Sequence, residues 1–265
     1  AYGFNSRATG LQSIAVGSES RANGVQATAL GASATAGNEA TAVGHNARAL
    51  GIADTAIGRF ALASGSQSTA VGVGSNATGN TTTALGIGTD AAGERSVAAG
   101  AFATTIGAFS AAYGFDSRAS GLFSIAIGSE SRANADRTTV IGANAVASAI
   151  NSVAIGAGSV ADVANTFAVG AVGNERRIVN VANGTVAAGN TDAVNGGQLF
   201  AVQSTANTAL TNAAAAQTTA DNALTAANAA QTTANSGVAA AASAQSTANT
   251  ALANAAAAQG TANTA

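Results

Sequence analysis

The sequence has no cysteine, proline, methionine, tryptophan or lysine. Without cysteine the chain can form no disulfide, which fits an exported repeat protein but does not prove export. Charged residues make up only 8% of the 265 residues, and ten basic residues, all arginine, stand against twelve acidic ones, so the net charge is −2. This balance gives no global reason to expect nucleic acid or an anionic membrane as partner.

Long apolar runs are missing as well. No stretch approaches the ~20 apolar residues that a membrane helix needs, and from the sequence we expect no signal peptide. Because an initiating methionine is also absent, we expect this chain to be a piece of a longer protein. Glycine, by contrast, is abundant, with 32 residues, and together with the low charge this is not the composition of an ordinary globular enzyme.

Glycine marks a 14-residue repeat along residues 1–173. One series runs from Gly3 to Gly170 at a spacing of 14, with a single spacing of 13 between Gly31 and Gly44, and a second series follows seven residues later. Residues 1–24 also match residues 112–135 at 19 of 24 positions, which indicates an internal duplication. Self-similarity at a fixed period predicts a repeat architecture.

Each 14-residue unit contains two short segments with strand character. The first, as in "SIAVG" and "DTAIG", alternates small and larger residues, and the second, as in "SRATG" and "NARALG", alternates alanine with polar residues. Alternation over two residues indicates β-strands, and two strands joined by glycine bends predict one coil of a parallel β-solenoid. Because such a small coil has room inside only for small side chains, we expect the aliphatic row of the first strand to pack against sister chains.

The composition changes after residue 203, where lines such as "QSTANTALTNAAAA" repeat with the same period as the units before them. Here one period corresponds to two heptads, and setting Leu210 at position a places alanine at every d position. A strict heptad pattern predicts a left-handed supercoil, which cannot be a monomer. The alternative is a disordered linker rich in alanine, threonine and asparagine. The expected a-position core of this stalk is Leu210, Gln217, Leu224, Gln231, Val238, Gln245 and Leu252.

Residues 174–202 match neither period, and we interpret them as an adaptor. Thr191 as cap and Asp192 in the first turn form a plausible helix start, since both satisfy or complement exposed N–H groups. The sequence therefore predicts three parts: a β-roll head over 1–173, a neck over 174–202 and a coiled-coil stalk over 203–265.

Residues that could carry chemistry are few and scattered. His45 is the only histidine; three copies on a trimer axis could bind a metal, but an outward-facing turn residue is the alternative. No two acidic residues recur at a spacing that would pair their carboxylates for acid–base catalysis. The stretch "GVGSNATG" lies within the repeat and no helix follows it, so it is not a phosphate loop. We expect no enzyme, no cofactor and no metal.

Arginine recurs on the polar face of the second strand. Since successive coils lie about 4.8 Å apart, Arg7 and Arg21 should be stacked neighbours, and so should Arg118 and Arg132, with Glu19 and Glu130 as candidates to relieve the repulsion. Two interpretations stay open: a solvated, solubilising face, or a basic surface that binds an extended or acidic host polymer through many weak contacts. The candidate ligand-binding residues are Arg7, Arg21, Arg48, Arg118 and Arg132.

The SxAxG and AxG units of residues 1–173, together with "RRIVNVANGT" (Arg176–Thr185) and "TDAVNGGQL" (Thr191–Leu199), resemble the head, neck and stalk of YadA-like trimeric autotransporter adhesins. The resemblance implies a mainly β fold plus coiled coil: a trimeric left-handed parallel β-roll, a neck that locks three chains together and a trimeric α-helical coiled coil. The segment Val186–Asn190 is longer than in the short neck form. The neck-motif residues implied by the resemblance are Arg176, Arg177, Asn180, Asp192, Asn195 and Gln198.

The resemblance also implies a function. It implies a homotrimer at the bacterial cell surface that binds host extracellular-matrix or cell-surface molecules and self-associates, with a membrane attachment only through an outer-membrane anchor that this fragment lacks. A passive spacer in a longer surface fibre and a trimeric phage tail spike remain alternatives, although a tail spike does not predict the neck motif. An ice-binding solenoid would need a regular threonine array, and the row from Thr28 to Thr83 shares its face with valine and leucine.

Overall fold

The computed structural model describes residues 1–263 and contains two compact units, with the boundary between Arg177 and Ile178. The first unit is a parallel β-solenoid of 24 short strands, numbered here in chain order. The odd-numbered strands have two residues each: Arg7–Ala8, Arg21–Ala22, Thr35–Ala36, Arg48–Ala49, Leu62–Ala63, Asn76–Ala77, Asp90–Ala91, Thr104–Thr105, Arg118–Ala119, Arg132–Ala133, Val146–Ala147 and Val160–Ala161. The even-numbered strands are Ile14–Val16, Thr28–Leu30, Thr41–Val43, Thr55–Ile57, Thr69–Val71, Thr83–Leu85, Val97–Ala99, Ala111–Tyr113, Ile125–Ile127, Thr139–Ile141, Val153–Ile155 and Phe167–Ala168.

The strands form two 12-stranded sheets, one of odd-numbered and one of even-numbered strands, and each strand pairs in parallel with the equivalent strand of the next coil. The register follows the 14-residue period, as in β1 and β3, where Arg7 pairs with Arg21. The single short coil is absorbed without loss of register, since Thr28 of β4 pairs with Thr41 of β6. We call the two outer surfaces the short-strand face and the long-strand face.

The core of the solenoid is a stack of alanines and small hydroxyl residues. In the second coil, Ala15, Ser20 and Ala22 are fully buried, and equivalent residues follow in the later coils. The largest fully buried side chain is Val140, which confirms that the coil has room only for small groups. Many buried hydroxyl groups also donate a hydrogen bond to a backbone carbonyl of a bend. The Ser20 hydroxyl, for example, donates to the carbonyl of Gly17 at 3.0 Å.

The bends need unusual backbone conformations. Gly17 has a φ of +131°, and a Cβ on it would lie 2.6 Å from the carbonyl carbon of Gly31 in the next coil, so only glycine fits. Two residues later, Glu19 adopts the left-handed conformation, with a φ of 59°, and its N–H donates to the carbonyl of Phe4 at 2.7 Å. The bends therefore continue the hydrogen-bond ladder of the strands from coil to coil.

The second unit contains one long helix, α1, which spans Gly196–Ala262. It begins at a capping box in which the Asn195 side chain accepts from the N–H of Gln198, and the Gln198 side chain accepts from the N–H of Asn195. The expected start at Thr191 and Asp192 is therefore wrong, because the pair Asn195 and Gln198 satisfies the first free N–H groups instead. Among the described residues, no helix combines the length and the apolar character required to cross a membrane.

Candidate ligand-binding surface

The strand register brings the candidate arginines together in two pairs on the short-strand face. Arg7 of β1 pairs with Arg21 of β3, and Arg118 of β17 pairs with Arg132 of β19. Arg48 lies apart, because its neighbours in the ladder are Thr35 and Leu62. In both pairs the following alanine points into the core, so the β-pleat directs the arginine outward.

The two arginine pairs differ in their partners. The Arg132 guanidinium lies 3.4 Å from the Asp116 carboxylate, and the buried Nε of Arg118 has no hydrogen-bond partner. Within residues 1–263, the other ion pair joins Arg95 to Glu94. Among these residues, Glu19 and Glu130 form no ion pair with an arginine, and the carboxylate that reaches Arg132 is that of Asp116, in the preceding coil.

Between the arginine pairs, the same column of the short-strand face carries an acid. Asp90 of β13 lies between Asn76 and Thr104 in the ladder, and burial raises the pKa of its carboxyl above the ordinary value. This acid divides the basic surface into an N-terminal and a C-terminal patch. We call Arg7 and Arg21 the first arginine pair, and Arg118 and Arg132 the second.

The long-strand face is uncharged and mostly apolar, with threonine as the first residue in six of its twelve strands. Its strands turn their central alanine inward and their first and third residues outward, so that Ile14 is 53% exposed and Val16 is 40% exposed in the single chain. Further exposed side chains on this face are Leu30, Ile57, Leu85, Tyr113, Ile125, Ile127 and Ile141. The expected outward aliphatic row is therefore present, and it extends over most of the length of the sheet.

The histidine is a bend residue. His45 is exposed and packs edge-to-face on Phe60, with ring centroids 5.5 Å apart. Residues 1–263 contain no group of three or more histidine, cysteine or acidic side chains that could hold a metal ion.

Aromatic contacts between neighbouring bends were not anticipated from the sequence. Phe109 and Phe123 stack with centroids 5.0 Å apart, and Phe102 and Phe115 pack edge-to-face at 6.0 Å. The contact between Phe109 and Phe123 could have been predicted from their spacing. The two residues are one full period apart and therefore occupy the same place in successive coils.

Arg176, a neck-motif residue, closes the last coil of the solenoid. Its guanidinium donates to the carbonyls of Ala157 and Val169 at 2.5 Å and to the Ser159 hydroxyl at 2.9 Å. In the preceding coil, the carbonyl equivalent to that of Ala157 accepts from the N–H of Gly158. The arginine thus replaces backbone donors that a further coil would supply.

The other neck-motif residues belong to the second unit or show no such contact. Asn195 donates to the carbonyl of Val181 at 3.0 Å, and the Gln198 side chain donates to the carbonyl of Gly184 at 2.7 Å. Asn180 has a left-handed φ of 61°, and Arg177 is exposed.

Asp192 holds the loop that precedes the helix. Its carboxylate accepts from the N–H of Thr185 at 3.0 Å, and this backbone hydrogen bond lowers the pKa of Asp192 below its ordinary value. Its N–H in turn donates to the Asn190 side chain at 2.6 Å. The carboxylate of Asp192 therefore stabilises the loop before the helix, and not the first helical turn.

The expected stalk-core residues all lie on α1 and are exposed in the single chain. Leucine is 71% exposed at position 210 and 72% exposed at position 252. The amide of Gln217 donates to Asp221 at 2.9 Å, and those of Gln231 and Gln245 donate likewise to Asn235 and Asn249. Each of these glutamines thus has one partner within its own helix.

Comparisons with known proteins match both units. Residues 1–61, 63–89, 119–145 and 147–171 match the YadA head domain repeat (2 copies), which covers more than half of the chain. Residues 177–222 match the coiled stalk of trimeric autotransporter adhesin. No curated protein matches the chain.

Among solved structures, the chain is similar to the collagen-binding domain of the Yersinia adhesin YadA. The identity is 24%, the alignment covers 73% of this chain and 98% of that chain, and the TM-score is 0.48.

Proposed function

This chain belongs to the trimeric autotransporter adhesins, and we propose that it attaches bacteria to host cells or extracellular matrix as part of a homotrimer at the cell surface. One observation carries the proposal: the two outer faces of the solenoid differ in chemistry. The long-strand face has no charged residue on its strands and presents large apolar side chains along most of its length, whereas the short-strand face carries the two arginine pairs. The first suits permanent burial, and the second suits contact with a polar partner.

The long-strand face supports the proposal that the chain forms a trimer. Fully burying one large aliphatic side chain contributes roughly 1.5–3 kcal/mol, and the long-strand face presents such side chains in almost every coil. A stripe of this kind left in water would cause aggregation. In the second unit, the apolar a-position side chains of α1 are likewise exposed in the single chain, and a coiled coil of three helices would cover them. Light scattering should give three times 24.9 kDa.

The arginine pairs support the proposal that the ligand is acidic. A guanidinium presents planar N–H donors that match carboxylate and sulfate groups, and it stays charged at every physiological pH. Two guanidinium groups one coil apart match a polymer with closely spaced anions, and three chains would present the surface three times. Contacts that are weak one by one then add through avidity.

Immobilised heparin, a sulfated polymer, and a panel of matrix proteins test this function. We expect binding that weakens as salt rises and that falls at least tenfold when Arg7, Arg21, Arg118 and Arg132 are together replaced by serine. The variant should still form a trimer.

A matched pair of single variants controls for net charge. Arg21→Ser removes a charge from the short-strand face, whereas Arg177→Ser removes the same charge from an exposed position away from that face, so only the first should weaken binding. A quadruple variant that binds as strongly as the parent would reject the arginine surface, and would favour a head that acts as a spacer.

A further inference from the structure

The bends between short and long strands form a ridge whose centre is apolar and whose two ends are charged. The ridge consists of residues 94–95, 108–109, 122–123 and 136–137, which occupy the same place in four successive coils. Phe109 and Phe123 stack at its centre and are 41% and 50% exposed, beside Leu122 at 38%. We call these eight residues the bend ridge.

Each end of the bend ridge carries one acid and one arginine. At one end Glu94 and Arg95 lie 3.7 Å apart, and the Arg95 guanidinium packs over the Phe109 ring at 5.4 Å. At the other end Asp136 accepts from the N–H of Leu122 at 2.8 Å, next to an exposed Arg137. An aromatic centre with a charged rim is the composition of a protein-binding surface.

The order of the charges selects a partner. Along the solenoid, one column of the ridge reads Glu94, Ala108, Leu122, Asp136, and the neighbouring column reads Arg95, Phe109, Phe123, Arg137. A two-fold rotation about an axis parallel to the solenoid exchanges the columns and keeps the coil order. Two ridges docked in this way place each acid opposite an arginine, and Phe123 opposite the Leu122 position.

The antiparallel orientation of two ridges is disfavoured by repulsion between like charges. A two-fold axis across the solenoid lays each column on its own copy in reverse order, so that Glu94 meets the Asp136 position and Arg95 meets the Arg137 position. Like charges placed face to face at an interface disfavour that pairing. The charge pattern is therefore self-complementary only between parallel copies.

The opposite bends carry a longer apolar run, and their charges are single residues, Arg59 in the first of five coils and Asp116 in the last. Over five coils they expose Phe60, Val73, Ile87, Phe102 and Phe115, and they follow directly on the apolar third residues of the long strands. These bends continue the long-strand face, so we place them with that face in the proposed trimer. The bend ridge, which is charged at both ends, is then left free.

We propose that the bend ridge joins neighbouring trimers side by side, in parallel, through contact with the same ridge of a second copy. The proposal rests on the proposed trimer, because parallel copies are what trimers standing on one cell surface present to each other. Four coils span only about 15 Å, so a single contact is smaller than a stable interface of ~1,200 Å². Three ridges on each trimer allow several such contacts to act together.

Sedimentation of the whole chain over a range of concentrations tests the contact. The parent should rise above three chains as its concentration increases, whereas Phe123→Gln should need at least a tenfold higher concentration. Phe123→Gln should preserve the backbone of the bend. Gln12 occupies the corresponding bend of the duplicated block with a φ of 58°, against 56° at Phe123. A parent that stays at three chains throughout overturns the inference and leaves the trimer intact, whereas a parent that passes from one chain to two supports the ridge and overturns the trimer.

Charge exchange tests complementarity. Arg95→Glu with Arg137→Glu makes every ridge acidic, and Glu94→Arg with Asp136→Arg makes every ridge basic, so each variant alone should remain a simple trimer while their mixture associates. The variant Glu39→Arg, which changes the charge of a bend outside the ridge by the same two units as one of these substitutions, should behave like the parent. A mixture that stays at three chains would contradict the pairing.

Cross-linking tests the orientation, because the parent has no cysteine. In Ile150→Cys the new thiol lies in the coil next to the ridge, so it meets its own copy only if the ridges run in parallel. A short thiol-reactive linker should join two chains, and the yield should fall on dilution because the joined chains belong to different trimers. Absence of the product when the trimers associate would overturn the parallel orientation, and a yield unchanged by dilution would place the ridge inside one trimer.

Discussion

The Arg132 guanidinium lies 3.4 Å from the carboxylate of Asp116 in the preceding coil. In the duplicated block at the start of the chain, Asn5 and Arg21 occupy the corresponding places. The backbone is nearly the same at both sites, with a φ of 50° at Asn5 and 46° at Asp116. Because asparagine carries no charge, the first arginine pair keeps a positive potential that the second pair partly loses.

This difference predicts the effect of Asn5→Asp. The new carboxylate should pair with Arg21, stabilise the first coils by about 0.2–1 kcal/mol and weaken binding of the first arginine pair to heparin. The reverse variant, Asp116→Asn, should destabilise the second block and strengthen its binding. Thermal unfolding at low and high salt checks the stability effect, which salt should reduce. Equal melting and equal heparin binding of both variants and the parent would contradict an electrostatic role of Asp116.

The glycines that begin the bends predict a second contrast. Gly114 has a φ of +129°, and a Cβ on it would lie 2.7 Å from the carbonyl oxygen of Gly128, so Gly114→Ala should cost at least ~2 kcal/mol. Gly74 also has a positive φ, +63°, but a Cβ there meets nothing within 4 Å. Since Phe60 adopts the same conformation one coil earlier, Gly74→Ala should cost only about 1 kcal/mol. Circular dichroism melts measure both, and similar melting of the two variants would show that coil spacing adapts to a Cβ.

The repeat made the solenoid predictable from sequence. A two-residue alternation fixes which side chains point inward, and only alanine, serine and threonine stand at those positions over most of the coils, so the core and the apolar face could both be derived. The pairing of Arg7 with Arg21 followed from the 14-residue period alone. Asp116 was missed because its carboxylate crosses from one coil to the next, and the period gives the spacing of coils but not the direction of a side chain at a bend.

The neck was harder to predict because it does not repeat. Thr191 and Asp192 satisfied the usual composition of a helix start, yet the capping box of Asn195 and Gln198 begins α1. The motif Asn-x-x-Gln could have shown this, since it offers both hydrogen bonds of a capping box. The contacts of Arg176 could not be derived, because they join the neck to carbonyls of the last coils, such as that of Ala157, which are distant in the sequence.

The stalk predicts a gain of stability on replacing glutamine. If Leu210 occupies position a, Gln217 and Gln231 face the axis of the coiled coil, where apolar side chains stabilise more than polar ones. Gln217→Ile with Gln231→Ile should therefore raise the melting temperature of the helix, although each glutamine already has one partner in its own helix. The control Leu224→Gln should lower it. A double variant that melts at or below the parent would show that the heptad frame is wrong.

The last coil of the solenoid predicts a local effect of Arg176→Ala. The substitution removes the donors to the carbonyls of Ala157 and Val169, and hydrogen bonds that involve a charged group contribute roughly 1.5–3 kcal/mol each. Because Arg176 is exposed, water can replace part of these bonds, so we expect a loss of about 1–2 kcal/mol confined to the last coils. Hydrogen exchange at the amides of Val153 and Val160 should accelerate about 5- to 30-fold, while the first coils stay unchanged. Arg177→Ala removes the same charge from the neighbouring position and should leave these amides protected; acceleration to the same extent in both variants would mean that charge, and not the replacement of missing backbone donors, closes the solenoid.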